Sequence, residues 1–187
     1  MYFRNYCNLH KLAELPLFII FFKLINFQKQ FIMKQLLLLR HAKSSWSDSS
    51  LSDFERPLND RGFADAPGIG QFIRKIDYLP GRIYCSTAKR AGQTLAKVVA
   101  EWDKNPEINH HDDFYRKSYT HYVETLKGAP DSVNRIMIVG HNPKIEQTVD
   151  ILISNKSEGL LRVPTAGLIC IQFKVTEWNQ ILPGLGQ

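Results

Sequence analysis

QLLLLRHAKSSW, residues 35–46, decides how the chain is read. Four consecutive leucines suit a strand buried on both faces, as in a parallel sheet covered by helices. The run then ends on Arg40 and His41, with no turn residue between core and charge. RIMIVGHNP, residues 135–143, repeats the pattern and delivers His141 to the end of its own apolar run. In open α/β sheets ligands lie beyond the carboxyl ends of the strands, so two such endings point to a site on one sheet edge.

Outward from these runs, short apolar stretches alternate with helical patterns, which predicts an α/β fold. RIYC at 82–85 reads as another strand. Asn59 is a candidate cap for a helix running to Ile76, with Phe63, Ala66, Ile69, Ile73 and Ile76 at helical spacing and Pro67 inside it. GIG at 68–70 reads as a place where that helix packs closely. A further helix is expected over 87–102, with Ala91, Leu95, Val98 and Trp102 as its buried stripe. Residues 103–117 read as polar and irregular, and YTHYVETLKG at 119–128 as a short helix ended by Gly128. After RIMIVG, Asn142 offers a cap and Pro143 a first helical position, with Ile145, Val149 and Leu152 on one face. GLICIQFKV at 167–175 alternates, as an edge or antiparallel strand does.

A chain of 187 residues, 44% hydrophobic, buries one core, and residues 33–187 read as a single domain. The formal charge of +6 invites a polyanion partner, but it is unevenly spread. Arg4, Lys11, Lys23 and Lys29 face only Glu14 within residues 1–32, which leaves 20 basic against 17 acidic residues in the remainder. No arginine stripe with interleaved aromatics occurs there, so no nucleic-acid partner is expected. LPLFIIFF at 15–22 is too short to cross a bilayer and lacks a cleavage site after it. Residues 1–32 read as an N-terminal extension, either upstream of a start at Met33 or disordered, with a weak membrane-surface anchor as the competing reading; no stable membrane association is expected. Cys7, Cys85 and Cys170 are too few and too scattered for a disulfide framework, which fits a reducing, cytoplasmic setting. A monomer is the default expectation.

Ser86 and Thr87 follow their strand as His41 and His141 follow theirs, and the helix that opens there carries Lys89 and Arg90 in its first turn. Cations at that end oppose the helix dipole by a few tenths to ~1 kcal/mol, so a resident anion is expected. Arg40, Arg90, His41 and His141, with helix N-termini after Ser86 and Asn142, make a set suited to phosphate. A histidine flanked by guanidinium groups loses affinity for its proton and stays nucleophilic near neutrality.

L-R-H-A-K-S-S-W (39–46), S-D-F-E-R-P-L-N-D-R-G (52–62), S-T-A-K-R-A-G-Q-T (86–94), V-G-H-N-P (139–143) and P-T-A-G (164–167) occur in one order. Together they closely resemble the histidine phosphatase superfamily, and more narrowly its short phosphohistidine phosphatase group. The resemblance implies a phosphoglycerate mutase-like fold: a three-layer sandwich with a mostly parallel central sheet and helices on both faces. It also implies a two-step phosphoryl transfer without metal or cofactor, in which His41 becomes phosphorylated while Arg40, Arg90 and His141 hold the phosphoryl oxygens. Lys43, Ser44 and Asn142 are candidate substrate contacts. The implied substrate is a protein-borne phosphohistidine or, alternatively, a small phosphate monoester. Relatives that cleave esters carry an acid mid-chain; here HHDDFYRKS at 110–118 offers Asp113 or Asp112, either of which equally suits a turn.

Three rivals remain open. His110, His111, Asp112 and Asp113 invite a metal, but adjacent side chains seldom converge on one ion and no accompanying ligand motif is present. CSTAKR suggests a cysteine phosphatase using Cys85 and Arg90, although the spacing falls one residue short of the usual Cys-x5-Arg loop. A non-catalytic module that binds phosphorylated partners is the third.

Overall fold

Strand β1 (Lys34–Arg40) carries the four leucines, and the pleat divides them. Leu36 and Leu38 pack into one hydrophobic layer, Leu37 and Leu39 into another on the opposite face. Burying each such side chain contributes about 1.5–3 kcal/mol, which is why this run is committed to the centre of a sheet. The computed structural model describes residues 33–104, 106–156, 159 and 161–187, so the expectations for residues 1–32 lie outside the described residues.

The sheet has five strands: β1, β2 (Arg82–Ser86), β3 (Glu107–His111), β4 (Arg135–Gly140) and β5 (Leu168–Phe173). Their order is β3-β2-β4-β1-β5. All pairings are parallel except that of β5, which runs antiparallel to β1 at the edge, as its alternating sequence predicts. Helices α1 (Asp60–Lys75) and α2 (Lys89–Val99) cover one face, where Ile73, Leu95 and Val98 meet Leu37, Leu39, Met137 and Val139. Helices α3 (Asp113–Arg116), α4 (Thr120–Lys127) and α5 (Lys144–Ser154) cover the other, where Phe114, Leu126 and Val149 meet Leu36, Leu38, Ile136 and Ile138. This is the three-layer α/β sandwich. No helix among the described residues is long and apolar enough to cross a membrane.

Several elements differ from the sequence reading, each for a physical reason. Residues 103–117 are not irregular: they contain β3 and α3. β3 is an edge strand with mostly exposed or half-buried side chains, so it has no apolar alternation to announce it. Helix α2 begins two residues later than expected, because Ala88 takes extended backbone (ψ 135°) at the cap. In α1, Phe63 and Ile76 face solvent, and glycines replace them at the interface. A Cβ on Gly70 would stand 2.3 Å from the Val98 carbonyl oxygen, and one on Gly62 2.2 Å from that of Lys43. GIG is therefore a packing feature through its second glycine only. Asn59 does cap α1, accepting the Gly62 N–H at 2.9 Å. Asn142 does not cap α5, since Pro143 occupies that position and the Asn142 amide turns to Glu146 and Val163.

Candidate active site

Strand register performs the first step of assembly. Arg40 pairs with Gly140 across β1 and β4, so His41 and His141 leave neighbouring strands at the same level. The His41 N–H donates to the Gly140 carbonyl at 3.0 Å, and the two imidazole centroids lie 5.1 Å apart. Both rings are buried, with 8% and 5% exposure. Gly140 is required by a close approach: a Cβ there would lie 2.0 Å from the Tyr122 hydroxyl. That hydroxyl accepts the His141 N–H and donates to the Phe114 carbonyl, each at 3.3 Å.

The surroundings of His41 define its tautomer. Its Nδ1 lies 2.8 Å from the Ala42 carbonyl oxygen, which can only accept, so the ring proton sits on Nδ1. Nε2 then presents a lone pair, which accepts the Arg90 Nε–H at 3.1 Å. The main chain is held as firmly as the ring. Ala42 N–H donates to Thr94 Oγ1 at 2.9 Å, Thr94 donates to the Arg90 carbonyl at 2.7 Å, and Ala166 N–H donates to the His41 carbonyl at 3.2 Å. Helix α2 thereby fixes both the guanidinium and the backbone of the histidine it touches. Burial lowers the His41 pKa to about 4; the Ala42 carbonyl and Asp53 oppose the shift, and the Arg90 and Arg40 charges reinforce it.

His141 is wired differently. Ser86 Oγ accepts the Ala88 N–H at 3.3 Å and hydrogen-bonds His141 Nε2 at 2.8 Å. His141 Nδ1 has no partner among the described residues. Burial, with His41, Arg90 and Lys144 acting in the same direction, lowers its pKa to about 2.

Arg90, itself buried, is oriented by one residue. Its Nη2 donates to Asp53 Oδ2 at 2.9 Å and its Nη1 to the Asp53 main-chain carbonyl. Asp53 also accepts from Arg56 Nη1 at 2.7 Å and from the Tyr115 hydroxyl at 2.8 Å. Burial alone would raise the Asp53 carboxyl, but the Tyr115 hydroxyl and the two guanidinium groups override it and hold it at about 2. The anion facing Arg90 at the start of α2 is thus, in part, the protein's own carboxylate. Arg40 donates through Nη1 to the Val163 carbonyl at 2.6 Å, and its Nε has no partner among the described residues. It lines a cavity of about 720 Å³ with Asn142, Glu146, Arg162, Val163 and Pro164. The set amounts to a neutral imidazole with an oriented lone pair, a second imidazole beside it, and fixed guanidinium groups around a strand-end edge, an arrangement matched to a phosphoryl group.

The comparisons with known proteins agree with this geometry. A model of the histidine phosphatase superfamily (branch 1) matches residues 36–119. An uncharacterised chloroplastic protein of Arabidopsis thaliana is 31% identical over 159 residues, covering 80% of this chain and 71% of that protein. The crystal structure of a candidate phosphohistidine phosphatase, SixA, from Agrobacterium tumefaciens superposes with a TM-score of 0.66 at 33% identity, over 74% of this chain and 90% of that one. The chain belongs to the histidine phosphatase superfamily. Within the superfamily it falls in the short SixA-like group, and it is a phosphatase. The protein histidine phosphatase SixA complexed with tungstate shares the superfamily fold, with a TM-score of 0.69 at 17% identity over 82% of this chain and 92% of that one.

Of the site residues expected from sequence, the structure brings His41, Arg90 and His141 together, while Arg40, next to His41 in the chain, turns its Nη1 to the Val163 carbonyl and contributes charge that lowers the His41 pKa. Lys43 is exposed. The Ser44 hydroxyl accepts from Arg56 Nη2 at 2.8 Å, and Asn142 Nδ2 donates to Glu146 Oε1 and the Val163 carbonyl, while its Oδ1 has no partner among the described residues. Asp113 pairs with Lys117 at 2.7 Å and with His121 at 3.4 Å, and Asp112 is exposed. Arg56 and Arg61, both within the 52–62 motif, pair with Asp53 and Asp65 respectively. Cys85 lies fully buried in the core layer, where burial pushes its thiol up to about 12, so it presents no thiolate. Sequence reasoning placed Ser86 at the strand-end edge but missed Thr94, Tyr115 and the contacts of Asp53 with Arg90 and Tyr115. All three residues lay inside quoted stretches, and their polar character was the available signal.

Proposed function

We propose that the protein removes phosphate from phosphohistidine in another protein, through a phosphorylated His41. In the first step the His41 Nε2 lone pair attacks phosphorus, the P–N bond to the substrate imidazole breaks, and the departing nitrogen is protonated from solvent. Arg40, Arg90 and His141 hold the oxygens as charge spreads over them. In the second step water attacks phosphorus, the bond to His41 breaks and inorganic phosphate leaves. No step calls for a metal ion.

The observation that carries this reading is the state of the carboxyl groups. Asp53 is held at about 2, and Lys117 keeps the Asp113 carboxyl below its ordinary value, so both are ionised near neutrality. An alkoxide is a poor leaving group that depends on a proton donor, whereas an imidazole departing from a phosphoramidate depends on one far less. With these two carboxyls ionised, the arrangement suits the second. The name of the 33%-identical SixA points in the same direction. Hydrolysis of small phosphate monoesters is the second reading, favoured by the cavity beside Arg40, which has room for a compact leaving group.

Turnover in EDTA of a phosphohistidine-bearing domain and of p-nitrophenyl phosphate separates the two. The proposal expects the phosphoramidate to be cleaved with the higher kcat/KM. Preference for the ester transfers the assignment to monoesters, and phosphate binding without turnover of either substrate reduces the protein to a binding module.

A further inference from the structure

One large aromatic side chain stands out on the rim of the site. Trp46 is 75% exposed, the most exposed of the large apolar side chains described, yet it is not loose. The Arg56 guanidinium lies over its ring with Cζ 3.1 Å from the centroid. Every nitrogen of that guanidinium is committed: Nε to the Ser45 carbonyl at 2.8 Å, Nη1 to Asp53 Oδ1 at 2.7 Å and Nη2 to Ser44 Oγ at 2.8 Å. Arg56 is itself buried. A cation is attracted to an indole face, and here the cation is held by three hydrogen bonds, so the ring rests on a fixed support. Asp53 then joins this support to Arg90, and Arg90 to His41 Nε2. The exposed ring is thus three polar contacts and one stack away from the nucleophile.

Among the described residues Arg56 is the one side chain stacked on this ring, and most of the indole surface stays open. Pre-ordered aromatic side chains of this kind dominate binding energies at protein interfaces, because little conformational freedom is left to lose. A partner's reach decides what would meet it. A histidine side chain is short, and His41 lies below the surface with 8% exposure, so a protein presenting phosphohistidine must bring its own backbone down onto the rim. A free phosphoramidate has no such surface and would not reach the indole.

We infer that Trp46, stacked on Arg56, is a docking ledge for the surface of the protein that carries the phosphohistidine, and that it selects whole-protein substrates over small phosphoramidates. This rests on the proposed function, and the occupant is the flank of the phosphorylated residue in that partner. The ledge touches no reacting atom, so its effect falls on KM.

The test compares wild type, W46A and W46F on two substrates, a phosphohistidine-bearing domain and free phosphohistidine, with thermal melting as a check on folding. W46A is expected to lower kcat/KM for the domain by about tenfold or more, through KM, while turnover of free phosphohistidine stays within about twofold. W46F, which keeps an aromatic face, is expected to recover most of the loss. Equal losses on both substrates, or no loss on the domain, overturn the ledge while leaving the proposed reaction standing. Wild-type enzyme that cleaves free phosphohistidine but not the domain overturns the protein substrate, and the ledge with it.

Discussion

His41 and His141 hold equivalent places on neighbouring strands and have almost nothing else in common. Each follows a buried apolar run, each is nearly inaccessible, and the register sets them side by side. One gives its Nδ1 proton to a main-chain carbonyl and turns a lone pair toward Arg90; the other pairs its Nε2 with a serine hydroxyl. The sheet supplies position and the immediate neighbours supply chemistry. A strand-end histidine therefore acquires its role from the partner of its second nitrogen, which no apolar pattern encodes.

The comparison breaks hardest at the nucleophile. H41A is expected to abolish turnover, with a loss of at least about a thousandfold, because no other group offers a fixed lone pair to phosphorus; steady-state assay on a phosphohistidine-bearing domain measures it. H141A leaves the attacking nitrogen in place and removes only oxygen stabilisation, so the expected loss is smaller, about 10²–10³ in kcat. If the two substitutions cost the same, the assigned division of labour fails.

A finer test lies in Thr94, which ties the Ala42 amide to α2. T94V keeps the shape but strands a buried N–H, at a cost of about 1–3 kcal/mol in stability by chemical denaturation. The same change frees the peptide that orients His41, so kcat is expected to fall about tenfold. The H141A background should show the same proportional loss, since Thr94 serves only the other histidine.

The smallest effect is on pH. Both imidazoles are held neutral when folded, His41 at about 4 and His141 at about 2 against an ordinary 6.5, so the unfolded chain binds more protons than the folded one below that value. Stability is therefore greatest above pH 6.5 and is lost as pH falls from there through about 4 and on toward about 2. Asp53, held at about 2, adds a loss in the same direction below its ordinary 3.8. Denaturation series between pH 7 and pH 4 should show this slope, and H41N should flatten it by one proton. Turnover should stay level across the neutral range, because His41 Nε2 is unprotonated throughout.

Legibility followed burial. The four-leucine strand, RIMIVG and the alternating final strand were readable because core positions repeat with the pleat. Strand β3, EINHH, was not, because an edge strand with little buried surface leaves no such trace. His41, Arg90 and His141 were readable as strand-end and helix-start residues. Asp53 was not: its role depends on a loop folding back so that one carboxylate reaches Arg56, Arg90 and Tyr115, three partners separated by up to 62 positions in sequence. Asn142 was misplaced for a related reason. Local preference made it a cap, and the tertiary partners Glu146 and Val163 claimed its amide instead.

The central claim is that the lone pair on His41 Nε2 takes the phosphoryl group. Rapid quench of the wild-type enzyme with a phosphohistidine-bearing domain, followed by peptide mapping under alkaline conditions, measures it directly. The account predicts one acid-labile, base-stable phosphate on His41, absent in H41A and present in H141A. Phosphate on His141 or Cys85, or steady turnover with no phosphorylated enzyme at any time point, would contradict it.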